Sequence, residues 1–125
     1  MSIAKIFIAL GSLNAALAVL LGAFGAHGLK TKLTEASLDI YQTGIHYHMY
    51  HALGLILVGI VIMQNAPSST FRWSGWLMLA GIILFSGSLY LLSITNIRWL
   101  GAITPFGGTA FIIAWLILLT GIIRS

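Results

Sequence analysis

A chain of 125 residues that is 59% hydrophobic, with six basic and two acidic side chains, is too apolar for a water-soluble domain and long enough for only one domain. The absence of cysteine excludes a disulfide framework, a thiolate metal site and a thiol nucleophile. The net charge of +4 does not mark a nucleic-acid surface, because Lys5, Lys30, Lys32, Arg72, Arg98 and Arg124 all fall in connections or at the ends of apolar runs, where long basic side chains reach lipid headgroups.

The apolar runs predict an all-α polytopic membrane protein. Four transmembrane helices, over about residues 3–26, 45–63, 73–94 and 100–123, would form one compact bundle in a single domain, 1–125. In the first run, Lys5 and Ala23-Phe24-Gly25 imitate a secretory signal and its cleavage site. Gly11, Ala15, Ala18 and Gly22 argue for a retained span, because they form a stripe of small residues that lets another helix backbone approach closely. Asn14 is the one strongly polar residue in the middle of any run, and an interhelical hydrogen bond is its expected role.

The connection that follows alternates Lys30, Lys32, Glu35 and Asp39 with Leu29, Leu33, Leu38 and Ile40. Thr34 can cap a helix there, with Glu35 in the first turn favoured by the helix dipole. This pattern predicts a short amphipathic helix lying at the interface between the first two spans. The second span then opens on Thr43-Gly-Ile-His-Tyr-His-Met-Tyr-His-Ala-Leu53, which holds three of the four histidines.

Trp73 and Trp76 suit the interfacial belt at the start of the third span. Ser86, Tyr90 and Ser93 share one face towards its end. In the fourth run, Thr104-Pro105 either caps and opens the helix or kinks it. Gly107, Ala110, Ala114 and Gly121 make a second close-packing stripe.

Four spans bring the end of the first, the start of the second, the end of the third and the start of the fourth to one membrane side. His27, Tyr47, His51, Ser86, Tyr90 and Thr104 therefore gather in one leaflet, as candidates for a polar pocket. A His-x-x-His pair such as His48 and His51 can share a metal ion, with His27 joining from the first span. No carboxylate lies inside a span, so hydrogen bonding is the stronger expectation, and no cofactor is predicted. No nucleophile–base–orienter set is visible.

Gly22-Ala-Phe-Gly-Ala-His-Gly28, Gln42-Thr-Gly through Tyr47 to His51, Phe85-Ser-Gly-Ser-Leu-Tyr90 and Thr104-Pro-Phe-Gly-Gly108 together resemble one family. It is the small four-helix bacterial membrane family catalogued as domain of unknown function 423, similar to transmembrane protein 256. The resemblance spans essentially the whole chain. It implies an inner- or plasma-membrane protein with no established activity. It sets His27 and His51 inside the family's motifs and His46 and His48 outside them, which favours His27, Tyr47 and His51 as the site.

The expected function is that of a binding or accessory membrane protein holding a lipid or other amphiphile, more readily than that of an enzyme. The alternatives are a small transporter or pore built by homo-oligomerisation, and a histidine-based membrane enzyme or metalloprotein. Basic residues divide three against three across the membrane, so orientation rests on Lys5 and the free amino group. They favour both termini in the cytoplasm.

Overall fold

Ser2 opens the first helix. In the computed structural model, which describes residues 1–125, its hydroxyl accepts a hydrogen bond from the backbone N–H of Lys5 at 3.3 Å. Helix α1 runs Ile3–Leu29 and ends in a widened π-type turn over Gly25–Leu29. Thr34 opens α2, accepting from the N–H of Ser37 at 3.1 Å. Helix α2 is one unbroken rod, Glu35–Gln64.

The separate interfacial helix expected between the first two spans is therefore absent. Lys30 to Leu33 form the turn after α1, and the residues from Glu35 on are the first turns of α2. The cap at Thr34 starts the helix, and no proline follows before Pro67 to stop it. At 1.5 Å per residue, 30 residues make a helix of about 45 Å. That exceeds the roughly 30 Å hydrocarbon thickness, which leaves the Glu35 and Asp39 turns room at the membrane surface.

Ser68 caps α3 by accepting from Thr70 N–H at 3.2 Å. Helix α3 spans Ser69–Thr95, with a second π-type turn over Ile82–Ser86. It stops at Asn96, whose φ of 58° is the left-handed conformation that asparagine tolerates at a helix end. A short 3₁₀ turn, Arg98–Ala102, precedes α4, Thr104–Arg124. Pro105 sits in the first turn of α4, where its missing N–H costs nothing. Thr104 is the first helical residue and not the cap; its hydroxyl bonds with Ser88 of α3 at 2.6 Å.

All four helices are long and apolar enough to cross a membrane. Phe7 of α1, Leu55 and Val58 of α2, Met78 and Ile82 of α3, and Phe111 and Ala114 of α4 form one buried core. The small-residue stripes are used within the chain. A methyl group on Gly11 of α1 would lie 2.6 Å from the Ala52 carbonyl of α2, and one on Gly59 of α2 would lie 2.8 Å from the Ala4 carbonyl of α1. The two backbones thus touch at two levels. On α4, Gly121 makes room for Phe71 of α3, and Gly107 lies on the Leu84–Phe85 backbone. Ala18, Ala110 and Ala114 are buried, whereas Ala15 and Gly22 are half-buried.

Gly22 differs from Gly11. The nearest atom to a methyl group there would be Ile45 Cγ2 at 3.5 Å, an ordinary contact. Gly22→Ala is therefore expected to leave stability unchanged or raise it by up to about 1 kcal/mol through helix propensity. A clear fall in the thermal midpoint of the variant in detergent would show that the α1–α2 contact is tighter at this end than the distances indicate.

Candidate functional site

The two buried histidines of α2 take different partners. His48 is buried and His51 is buried, three positions apart and so about 60° apart around the helix. His46 is exposed and stacks only on Tyr50.

His48 joins three helices. Its Nδ1 lies 2.8 Å from the Tyr90 hydroxyl of α3, and its Nε2 lies 2.9 Å from Asn14 Oδ1 of α1. The Asn14 amide nitrogen donates to the Leu10 carbonyl at 2.8 Å. A carbonyl only accepts, so that bond fixes the amide's orientation and turns Oδ1 towards His48. Nε2 must then carry the proton and donate. The neutral ring's Nδ1 accepts from Tyr90. Gly44 makes space for the Tyr90 ring, and Ser86 donates to the Gly44 carbonyl at 2.8 Å.

His51 has the opposite tautomer. Its Nδ1 lies 2.8 Å from the Tyr47 carbonyl, which only accepts, so Nδ1 carries the proton. Trp115 Nε1 of α4 donates to Nε2 at 3.0 Å; an indole N–H only donates. The ring lies flat on Phe111, with centroids 3.4 Å apart and planes within 8°. Every buried side-chain nitrogen and oxygen in the chain has a partner.

Beside His51 a groove of about 350 Å³ opens between α2 and α4. Tyr47, Phe85, Phe111 and Trp115 are among its walls. The Tyr47 and Phe85 rings meet at 4.6 Å, and Phe85 and Phe111 at 5.5 Å. The π-type turn of α3 places Phe85 at this groove and Ser86 on the Gly44 carbonyl of α2. Such turns concentrate at functional positions.

The residues expected in one pocket thus fall into several places. Tyr47 and His51 stand together at the groove. Tyr90 belongs with His48 and Asn14. Ser86 holds the Gly44 carbonyl, and Thr104 pairs with Ser88. His27 is exposed in the π-type turn at the end of α1 and makes no side-chain hydrogen bond. His27, His48 and His51 do not converge, and no group of three or more His, Asp or Glu side chains comes together. Asn14 makes the interhelical hydrogen bond expected of it, to His48, although the sequence does not single out His48 as its partner, and Trp115 is not among the expected site residues. A signal for Asn14 was present: it and His48 each lie seventeen residues from Thr31, so a hairpin turning there sets them at equal depth.

Comparison with known proteins gives a consistent result. The family described as "Protein of unknown function (DUF423)" matches residues 21–108. The UPF0382 membrane protein YwdK of Bacillus subtilis is 53% identical over 120 residues, covering 96% of this chain and 98% of that protein. A UPF0382 membrane protein of Staphylococcus epidermidis is 49% identical over 120 residues, covering 96% of this chain and 97% of its own length. No solved structure matches.

Proposed function

The chain belongs to the DUF423 family of membrane proteins, and from that premise we propose that it is a binding protein for a ring-bearing amphiphile, held in the lateral groove between α2 and α4. One observation carries the reading: the Tyr47 hydroxyl has no hydrogen-bond partner in the chain, and Tyr47 is one wall of a groove otherwise lined by aromatic and apolar groups. The polar atoms of His51 and Trp115 are committed to each other and to the Tyr47 carbonyl. A ligand therefore meets ring faces and a single phenol. Such a site selects a flat apolar body with one hydrogen-bond acceptor, within the size range of small-molecule pockets.

A transporter or pore is less well supported. Asn14, the polar group deepest in α1, is bound to His48 and Leu10 and lines no channel. A homo-oligomer would have to form through the outward faces, since the glycine stripes are occupied within the chain. With both termini in the cytoplasm, the histidine-bearing half would lie in the outer leaflet and the first turns of α2 at its surface.

The test is native mass spectrometry of the full-length protein released from its membrane. A discrete bound amphiphile that is not a bulk phospholipid is expected. Gly108→Leu should abolish it, because Gly108 lines the groove and faces Phe85 with room for a methyl group at 3.7 Å. The same mass retained by a well-folded Gly108→Leu variant, or bulk phospholipid alone in both, would defeat the proposal.

A further inference from the structure

The donor and acceptor inventory separates the two buried histidines in a way that bears on charge. His51 is hydrogen-bonded on both nitrogens, and on Nε2 its partner is an indole N–H. A second proton on this ring would set two donors head to head. His48 is different. Its Nε2–H already donates to Asn14, and its Nδ1 faces a phenol hydroxyl, which can donate or accept. If His48 takes a proton on Nδ1, the same contact survives with its direction reversed, and no partner is lost.

From this we infer that His48 is a proton-binding site inside the membrane, loaded through Tyr90 from the side where α2 begins. Tyr90 is half-buried and lies five residues before the end of α3 at Thr95, about 8 Å along the axis. A hydronium ion in interfacial water gives its proton to the Tyr90 oxygen as the phenol's own proton passes to His48 Nδ1. The products are water, an intact phenol and an imidazolium that still donates from Nε2 to Asn14.

The path ends there. The amide of Asn14 is no proton carrier, and beyond it lie the fully buried Phe7, Leu55, Val58 and Met78. The site therefore binds a proton from one side and does not conduct. The titratable groups around His48 are few. Tyr90 comes from α3, and Tyr41 of α2 lies beside it, with ring centroids 5.4 Å apart and planes tilted by 46°. From α1 the facing group is Asn14. On the α4 side, His51 is occupied by Trp115. No charged side chain hydrogen-bonds to any of them. An intramembrane ionisable group with such a partner is the kind of residue that carries function.

The experiment is nitrogen NMR of the full-length protein with ¹⁵N-labelled histidine in lipid nanodiscs. The exposed pair is assigned with His27→Gln and His46→Gln. At high pH, His48 should show a protonated Nε2 and a bare Nδ1. As pH falls from about 8 to 5, the range where imidazole titrates, the bare Nδ1 signal should move to the protonated position. His51 should keep its Nδ1–H form throughout. In Tyr90→Phe, His48 should keep the Nε2–H tautomer while proton uptake slows. Proteoliposomes holding a pH dye should leak no faster than empty vesicles. A His48 neutral across the range, a His51 that titrates with it, uptake in Tyr90→Phe at the unmodified rate, or a proton leak would each overturn the inference.

Discussion

Gly11→Ala is expected to lower the unfolding free energy by about 1–3 kcal/mol, the usual cost of overpacking a filled core, and Gly59→Ala should do the same. A methyl group on Gly11 would meet the Ala52 carbonyl at 2.6 Å, Ile56 Cγ1 at 2.7 Å and Ile56 N at 3.0 Å. The Ile56 side chain can turn aside; the α2 backbone cannot, unless the helices part. Parting them by a few tenths of an ångström loosens the whole contact, because dispersion falls steeply with separation. Helix propensity favours alanine by about 1 kcal/mol, so the net loss is a lower bound on the steric term. Leucine at either position should prevent the native fold. Steric-trapping measurements in bicelles would read the loss. Gly87→Ala is the matched control, since nothing lies within 4 Å of its position. Equal stability of the Gly11 and Gly87 variants would show that the two backbones are not in contact.

Asn14→Leu and His48→Leu are each expected to destabilise the bundle by about 1–2 kcal/mol, while the double variant should cost clearly less than their sum. Either single change leaves a buried polar atom without its partner, at a penalty of about 1–3 kcal/mol. Interhelical hydrogen bonds in membranes average closer to 0.6 kcal/mol, since the dissociated helices find other partners, which sets the expectation at the lower end. The double change removes both groups and fills the space with hydrocarbon. A double-mutant cycle on the same unfolding assay measures the coupling. Strictly additive losses would mean that His48 and Asn14 do not depend on each other.

The number of helices, their apolar character and the cap at Thr34 were all legible in the sequence, because each is local. Composition and run length decide membrane helices, and a threonine before an acidic first turn is a local capping signal. The interfacial helix was misread for a related reason: amphipathic alternation says where a helix meets the surface, not whether it continues. The pairing of His48 with Asn14 depends on the relative depth of two helices, which single-helix periodicity does not contain. The π-type turn at Ile82–Ser86 left no trace, because Ile-Ile-Leu-Phe-Ser is ordinary helix sequence. Its mark is on the neighbouring helix, in Gly107 of α4 pressed against Phe85. His27 looked like a pocket residue because connectivity places it on the correct membrane side, but connectivity does not say which way a side chain turns.

The close backbone contacts divide by hairpin. Gly11 and Gly59 join α1 to α2, and Gly107 joins α4 to α3. Between the hairpins the ties are side-chain ones, such as Ser86 on Gly44 and Tyr90 on His48. During synthesis the first pair has its complete interface once Gln64 has emerged, before α3 has left the ribosome. The ribosome therefore delivers the chain as two finished halves in succession. The Asn65–Ser68 link joins them and caps α3 through Ser68, and the histidine site, with its Asn14–His48 bond already inside the first half, is completed only when the second half arrives.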